Sequence, residues 1–173
     1  SSHKNNPNKI ALFNVDGDYI TYKELITGIE KVHQQFIQND IKPNARIGLV
    51  MYGGLKTSAL ILGILTYSTL IPINPDINEV EFSNLIDRLN IDVLILDEES
   101  RLVLTSKKIE SAKVILVKND NNYFSIFSNY LSVINTDQYK LNDAPIYSLI
   151  LETSGTTAKP KQIGLNSNNL IAS

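Results

Sequence analysis

Arg46-Ile-Gly-Leu-Val50, Gly53-Gly54, Leu55-Lys-Thr-Ser-Ala-Leu-Ile-Leu-Gly-Ile-Leu-Thr-Tyr67 and Leu70-Ile-Pro-Ile73 follow one another with little between them. The first run is short and apolar and is closed by a glycine pair, which marks a buried strand entering a turn. The second is longer, rich in leucine and free of proline, and reads as a buried helix. The third is a short strand bounded by Pro72 and Pro75. A helix that carries the chain between two buried strands predicts a parallel pair.

The same alternation continues downstream. Asn78 and Glu81 have the spacing of a capping box, opening a helix to about Asn90 with Val80, Phe82, Leu85, Ile86 and Leu89 inward. Asp92-Val-Leu-Ile-Leu96, Lys113-Val-Ile-Leu-Val117 and Tyr147-Ser-Leu-Ile-Leu151 read as further strands. Asn119-Asp-Asn-Asn122 is a turn, and a short helix is expected near Tyr123 to Leu131, with Tyr123, Phe124, Phe127 and Tyr130 as packing residues.

Upstream, Ile10-Ala-Leu-Phe-Asn-Val15 and Tyr19-Ile-Thr-Tyr22 flank Asp16-Gly17, a hairpin signal. Thr21 with Glu24 forms another capping box. Leu25, Ile29, Val32 and Phe36 then lie on one helical stripe, ended by Asn39-Asp40 and Pro43. The expected fold is α/β: a largely parallel sheet with flanking helices and an N-terminal hairpin, as a single subdomain over residues 1–173.

Composition narrows the function classes. The chain has 173 residues, 43% hydrophobic and 20% charged, with a formal net charge of -2. That charge gives no basic field for nucleic acid. With no cysteine and only His3 and His33, zinc sites, disulfides and Ser-His-Asp hydrolysis are not expected, and no metal ligand is assigned. His33 is expected to be a partly exposed surface residue, and Asp97-Glu98-Glu99 a solvated turn. The first ten residues lack an apolar leader segment. The apolar stretch Leu55–Ile73 is interrupted by Lys56, Ser58 and Pro72, whereas a membrane span needs about 20 mainly apolar residues. A cytoplasmic location is expected, and abundant Ile, Asn and Lys hint at a bacterial source.

The chemistry is concentrated in Glu152-Thr-Ser-Gly-Thr-Thr-Ala-Lys-Pro-Lys161. Thr153, Ser154, Thr156 and Thr157 supply hydroxyls, Gly155 lets the backbone turn tightly, and Lys159 and Lys161 supply cations. The segment follows an apolar strand, where α/β sheets bind ligands. It lacks the spacing of a Walker A loop. A polar turn whose hydroxyls satisfy their own backbone is the alternative reading. As a site, residues 152–161 are expected to form an exposed, mobile loop.

Thr153-Ser-Gly-Thr-Thr157, Ala158 and Lys159-Pro-Lys161 resemble the phosphate-binding motif of the adenylate-forming superfamily: acyl-CoA synthetases, peptide-synthetase adenylation domains and firefly-type luciferases. That pattern reads Thr-Ser-Gly-Ser/Thr-Thr-Gly-x-Pro-Lys-Gly, followed by a short strand and a helix. Asn169-Leu170, Thr21-Tyr-Lys-Glu-Leu25 and Leu62–Pro75 resemble three further stretches of the family, in order. Ala158 and Gln162 stand where the family has glycine, Ser167 where it often has histidine, and Tyr67-Ser-Thr69 where it has Ala-Gly-Gly.

The resemblance implies ATP-dependent activation of a small carboxylic acid as acyl-adenylate, then transfer to a thiol. ATP, Mg2+ and coenzyme A or carrier pantetheine are the implied cofactors. Thr153, Ser154, Gly155, Thr156, Thr157 and Lys161 are the implied phosphate-binding residues. The catalytic lysine, the ribose contact and the acyl pocket belong to later parts of such enzymes, so residues 1–173 are expected to be the N-terminal portion and inactive alone. Pro72-Ile-Asn-Pro75 leans toward acid–CoA ligases, fatty acids among their substrates. A peptide-synthetase adenylation domain and a non-catalytic scaffold are the alternatives.

Overall fold

The computed structural model describes residues 6–97, 100, 112–117, 122–126, 147–153 and 161–171. The chain begins with a hairpin, β1 (Ile10–Phe13) and β2 (Tyr19–Thr21), paired antiparallel with an irregularity between Ile10 and Leu12. Asn14 makes the reversal. Its side-chain oxygen accepts from the N–H groups of Asp16 at 3.1 Å and Asp18 at 2.8 Å, while Gly17 takes a φ of 94°.

Helix α1 (Tyr22–Gln38) starts with the expected capping box. Thr21 Oγ1 accepts from the Glu24 N–H at 3.3 Å, and the Glu24 carboxylate accepts from the Thr21 N–H at 2.8 Å. The backbone bond from Thr21, followed by its hydroxyl, holds the Glu24 carboxyl below its usual value of 4.5. At the other end Asp40 adopts the left-handed conformation (φ 55°). Ile41 N–H then donates to Phe36 O at 2.9 Å and Asp40 N–H to Ile37 O at 3.1 Å, a Schellman closure that turns Ile41 into the core.

The cap carries a first prediction. Thr21→Ala is expected to destabilise the fold by about 1 kcal/mol at neutral pH. A depressed carboxylate contributes stability that is present above its unfolded pKa and lost as pH falls through its folded pKa. The mutant should therefore lose less stability than wild type on acidification below 4.5. Urea titrations at neutral pH and along the acid limb check both parts.

Next come β3 (Arg46–Val50), α2 (Leu55–Leu65), β4 (Thr69–Ile73), α3 (Glu79–Leu89), β5 (Val93–Asp97), β6 (Lys113–Val117), β7 (Leu149–Thr153), β8 (Lys161–Leu165) and a short α4 (Ser167–Ile171). Among the described residues, six of these strands form one sheet in the order β6-β5-β3-β4-β7-β8. β8 alone is antiparallel, pairing with β7. Asn78 caps α3 by accepting from the Glu81 N–H at 3.0 Å. No return bond from Glu81 occurs among the described residues, so the second capping box is half formed.

Strand alternation divides the core into two layers. Ile47, Leu49, Val93, Ile95, Ile115 and Val117 face α1 and α2. Val50, Ile71, Ile73, Leu94, Leu96 and Ile150 face α3 through Phe82, Leu85, Ile86 and Leu89. The helix after β3 and the helix after β4 thus cover opposite faces, a doubly wound arrangement. α1 and α2 pack closely because Gly63 has no side chain: a Cβ there would lie 2.9 Å from Val32 Cγ1.

His33 sits half-buried at the same helix pair, with Nε2 3.1 Å from both Gly63 O and Thr66 Oγ1 and its ring 5.1 Å from that of Tyr67. Burial pushes its pKa down, favouring the neutral ring.

Three sequence expectations are corrected. Val80, expected inward, is 71% exposed, because the buried stripe of α3 runs through Phe82, Leu85, Ile86 and Leu89 and Val80 is out of phase with it. Residues 123–124 form a turn, closed by Ser125 N–H on Asn122 O, and 125–126 are not helical; residues 127–131 lie outside the described part. The turn is held by buried Gln35 of α1, whose amide donates to Phe124 O at 2.8 Å and accepts from Ile126 N–H at 2.9 Å. Such a long-range tether favours an irregular path over a local helix. Tyr123 and Phe124 do pack against Ile20, Leu55 and Ala59, whereas Phe127 and Tyr130 lie outside the described residues. Asp97 is not solvated either. It is 7% exposed and accepts from the Ser100 N–H at 2.7 Å, while Glu98 and Glu99 are outside the described residues.

Candidate phosphate-binding site

The parallel strands β3, β4, β5, β6 and β7 all end on one edge of the sheet, the edge where such folds bind ligands. Tyr52 follows β3 and Asp76 follows β4. Their side chains meet there, with the Tyr52 hydroxyl donating to Asp76 Oδ1 at 2.8 Å. Thr153 ends β7 on the same edge, and the chain returns as β8 from Lys161. Thr153 and Lys161 are cross-strand partners, as are Glu152 and Gln162.

The expectation of a mobile loop over 152–161 is therefore wrong at its two ends. Glu152 and Thr153 belong to β7, and Lys161 belongs to β8. Antiparallel pairing of Leu149–Thr153 with Lys161–Leu165 satisfies their backbone groups and extends the strands to the neck of the turn. Ser154, Gly155, Thr156 and Thr157, with Ala158, Lys159 and Pro160, lie outside the described residues. Of the six candidate phosphate-binding residues, the structure places Thr153 and Lys161, and it brings them opposite each other. Lys161 is exposed.

One pair at this neck was not anticipated from sequence. Arg88 of α3 donates to Glu152 through Nε at 2.9 Å and through a terminal nitrogen at 2.6 Å, a two-pronged ion pair. The side chains are 37% and 17% exposed, so the pair is partly shielded from water. The hydrogen bond to Glu152 raises the Arg88 pKa further. Its members are 64 positions apart, and no local pattern links them.

Comparison with known proteins places this geometry in context. The chain is 24% identical over 158 residues to tyrocidine synthase 3 of Brevibacillus parabrevis, a match over 91% of this chain and 2% of that protein. ATP-bound MatB of Rhodopseudomonas palustris has the same fold, with a TM-score of 0.74 at 19% identity over 96% of this chain and 33% of that one. The nonribosomal peptide synthetase FmoA3 matches with a TM-score of 0.67 at 16% identity, over 95% of this chain and 17% of that one. The chain thus spans a third or less of these relatives' lengths. The AMP-binding enzyme family matches residues 1–173, and the chain belongs to that family.

Proposed function

We propose that the protein carrying this chain activates a carboxylic acid with MgATP and passes the acyl group to a thiol. The observation that supports this most is the Thr153–Lys161 neck at the carboxyl edge of a parallel sheet, in a chain of the AMP-binding enzyme family. A carboxylate oxygen attacks the α-phosphorus. A new P–O bond forms, the bond to the bridging oxygen breaks, and pyrophosphate leaves with the electron pair. A thiolate then attacks the acyl carbon, and AMP departs as the leaving group.

Thr153, Ser154, Gly155, Thr156, Thr157 and Lys161 would hold the β- and γ-phosphates. Their task is to stabilise charge that grows on the departing pyrophosphate. Mg2+ enters here as part of the substrate MgATP. No described helix is long and apolar enough to cross a membrane. Coenzyme A is the acceptor favoured by Pro72-Ile-Asn-Pro75, with fatty acids as one substrate class. The likeness to tyrocidine synthase 3 and FmoA3 favours a second reading, an adenylation domain serving carrier pantetheine.

The test is product analysis in the longest native chain that carries these residues. With MgATP and a panel of acids, acid-dependent release of AMP and pyrophosphate in equal amounts is expected. Release of ADP and phosphate would sink the proposal. Residues 1–173 alone should show no ATP–pyrophosphate exchange, since the resemblance assigns the acyl pocket and the catalytic lysine to later parts of such enzymes.

A further inference from the structure

The hairpin, α1 and the turn at 122–124 enclose an open cleft of about 1030 Å³, which shares no residue with the Thr153–Lys161 neck. That is the upper end of the ~300–1,000 Å³ that small-molecule sites occupy. One side of the cleft is a stripe of α1. Glu24, Gly28 and Lys31 follow the four- and three-residue spacing that lines up positions on one helix face. Tyr19 of β2 and Phe124 of the turn supply ring surfaces.

Gly28 sets the shape of the cleft. A Cβ there would overlap the Phe124 ring, so that ring rests directly on the α1 backbone. Gln35 holds the same turn through Phe124 O and Ile126 N–H, which makes Phe124 a fixed wall. Tyr19 is 55% exposed, and among the described residues its ring has no aromatic partner. The cleft therefore offers a free ring face and a braced one.

Its charges are uneven. Lys23 and Lys31 line it and are exposed, and among the described residues neither ammonium group has a hydrogen-bond or ion-pair partner. Glu24 is the one carboxylate in the lining, and its Oε2 accepts from both the N–H and the hydroxyl of Thr21. At about 1.5 Å of helix rise per residue, Glu24 lies beside Lys23 and about 10 Å along the axis from Lys31. The Glu24 charge thus offsets that of Lys23 and leaves the Lys31 end positive.

We propose that this cleft binds a small aromatic anion, with its ring body against Tyr19 and Phe124 and its anionic head on Lys31. Rings attract a further ring in offset or edge-on contact, and an exposed, unpaired ammonium gains by meeting a carboxylate, sulfonate or phosphate head. This site goes beyond the acid-activation reading and does not depend on it.

The test is fluorescence titration of the longest native chain that carries these residues, with two probes of the same ring body. Anilinonaphthalene sulfonate carries the anionic head, and phenyl-naphthylamine is its neutral counterpart. Saturable binding of the sulfonate is expected. Lys31→Met should weaken the sulfonate about 5-fold and leave the neutral probe within about 2-fold, whereas Lys23→Met should leave both within about 2-fold. Tyr19→Ala should weaken both probes about 5-fold. Both Lys31 and Tyr19 are exposed, and unchanged thermal unfolding verifies that each variant keeps the fold. Should Tyr19→Ala not fold, Lys31→Met decides alone. Absence of saturable sulfonate binding, a sulfonate signal that Lys31→Met leaves unchanged, equal losses of the two probes in Lys31→Met, or a larger loss in Lys23→Met than in Lys31→Met would each overturn the proposal.

Discussion

Lys161→Ala in the longest native chain that carries these residues is expected to lower acid-dependent ATP–pyrophosphate exchange by about 100- to 1,000-fold, the usual cost of removing one preorganised charge stabiliser from a transition state. Lys161 opens β8 opposite Thr153, so its backbone is anchored by the sheet while its side chain is exposed. On the proposed reading, its ammonium group would stabilise the charge that grows on the leaving pyrophosphate. Lys161→Arg, which keeps the charge with a bulkier head, should retain more exchange than the alanine variant. Exchange at wild-type rate in Lys161→Ala would mean that the neck is not the phosphate site. The family membership would stand and the assignment of its residues would not.

Phe36→Ala is expected to cost about 3–5 kcal/mol of folding stability. Phe36 is fully buried on α1, and its ring lies 5.3 Å from that of Tyr67. It also supplies the carbonyl that accepts from Ile41 N–H in the Schellman closure. The cavity would open between α1, α2 and the strands they cover, a region that cannot collapse easily because Gly63 and Val32 are already at contact. Against a typical total of about 5–15 kcal/mol this is a large fraction. Urea denaturation reads the change directly, and a loss under about 1 kcal/mol would contradict the packing described.

Much of the fold is legible because its signals are local. Thr21 and Glu24 are three residues apart and cap α1 as their spacing predicts. Asn14, Asp16 and Gly17 make the hairpin turn within a few bonds of one another. The apolar runs at 46–50, 69–73 and 93–97 are strands because residues buried on both faces need no polar alternation, while 113–117 is an edge strand with Val114 and Leu116 exposed. The start of the helix expected from Tyr123 onward fails for the opposite reason. Its start is governed by Gln35, on a helix far away in sequence, whose amide holds the Phe124 and Ile126 backbone in a turn.

The site divides along the same line. Thr153, Ser154, Gly155, Thr156, Thr157 and Lys161 are candidates through the resemblance of their order to the family's phosphate-binding motif, which is a property of a short contiguous segment. Glu152 and Gln162 also belong to that segment in sequence. Only the pairing of β7 with β8 makes them strand residues, and only the packing of α3 puts Arg88 on Glu152.

The sequence by itself determined most of the order of strands and helices and the Thr21 and Asn78 caps, because these depend on neighbours along the chain. The tertiary structure decided the strand order β6-β5-β3-β4-β7-β8, the opposed placement of α2 and α3, and the partner that neutralises Glu152. Those depend on which distant surfaces bury each other, and burial is a property of the assembled layers that no local pattern encodes.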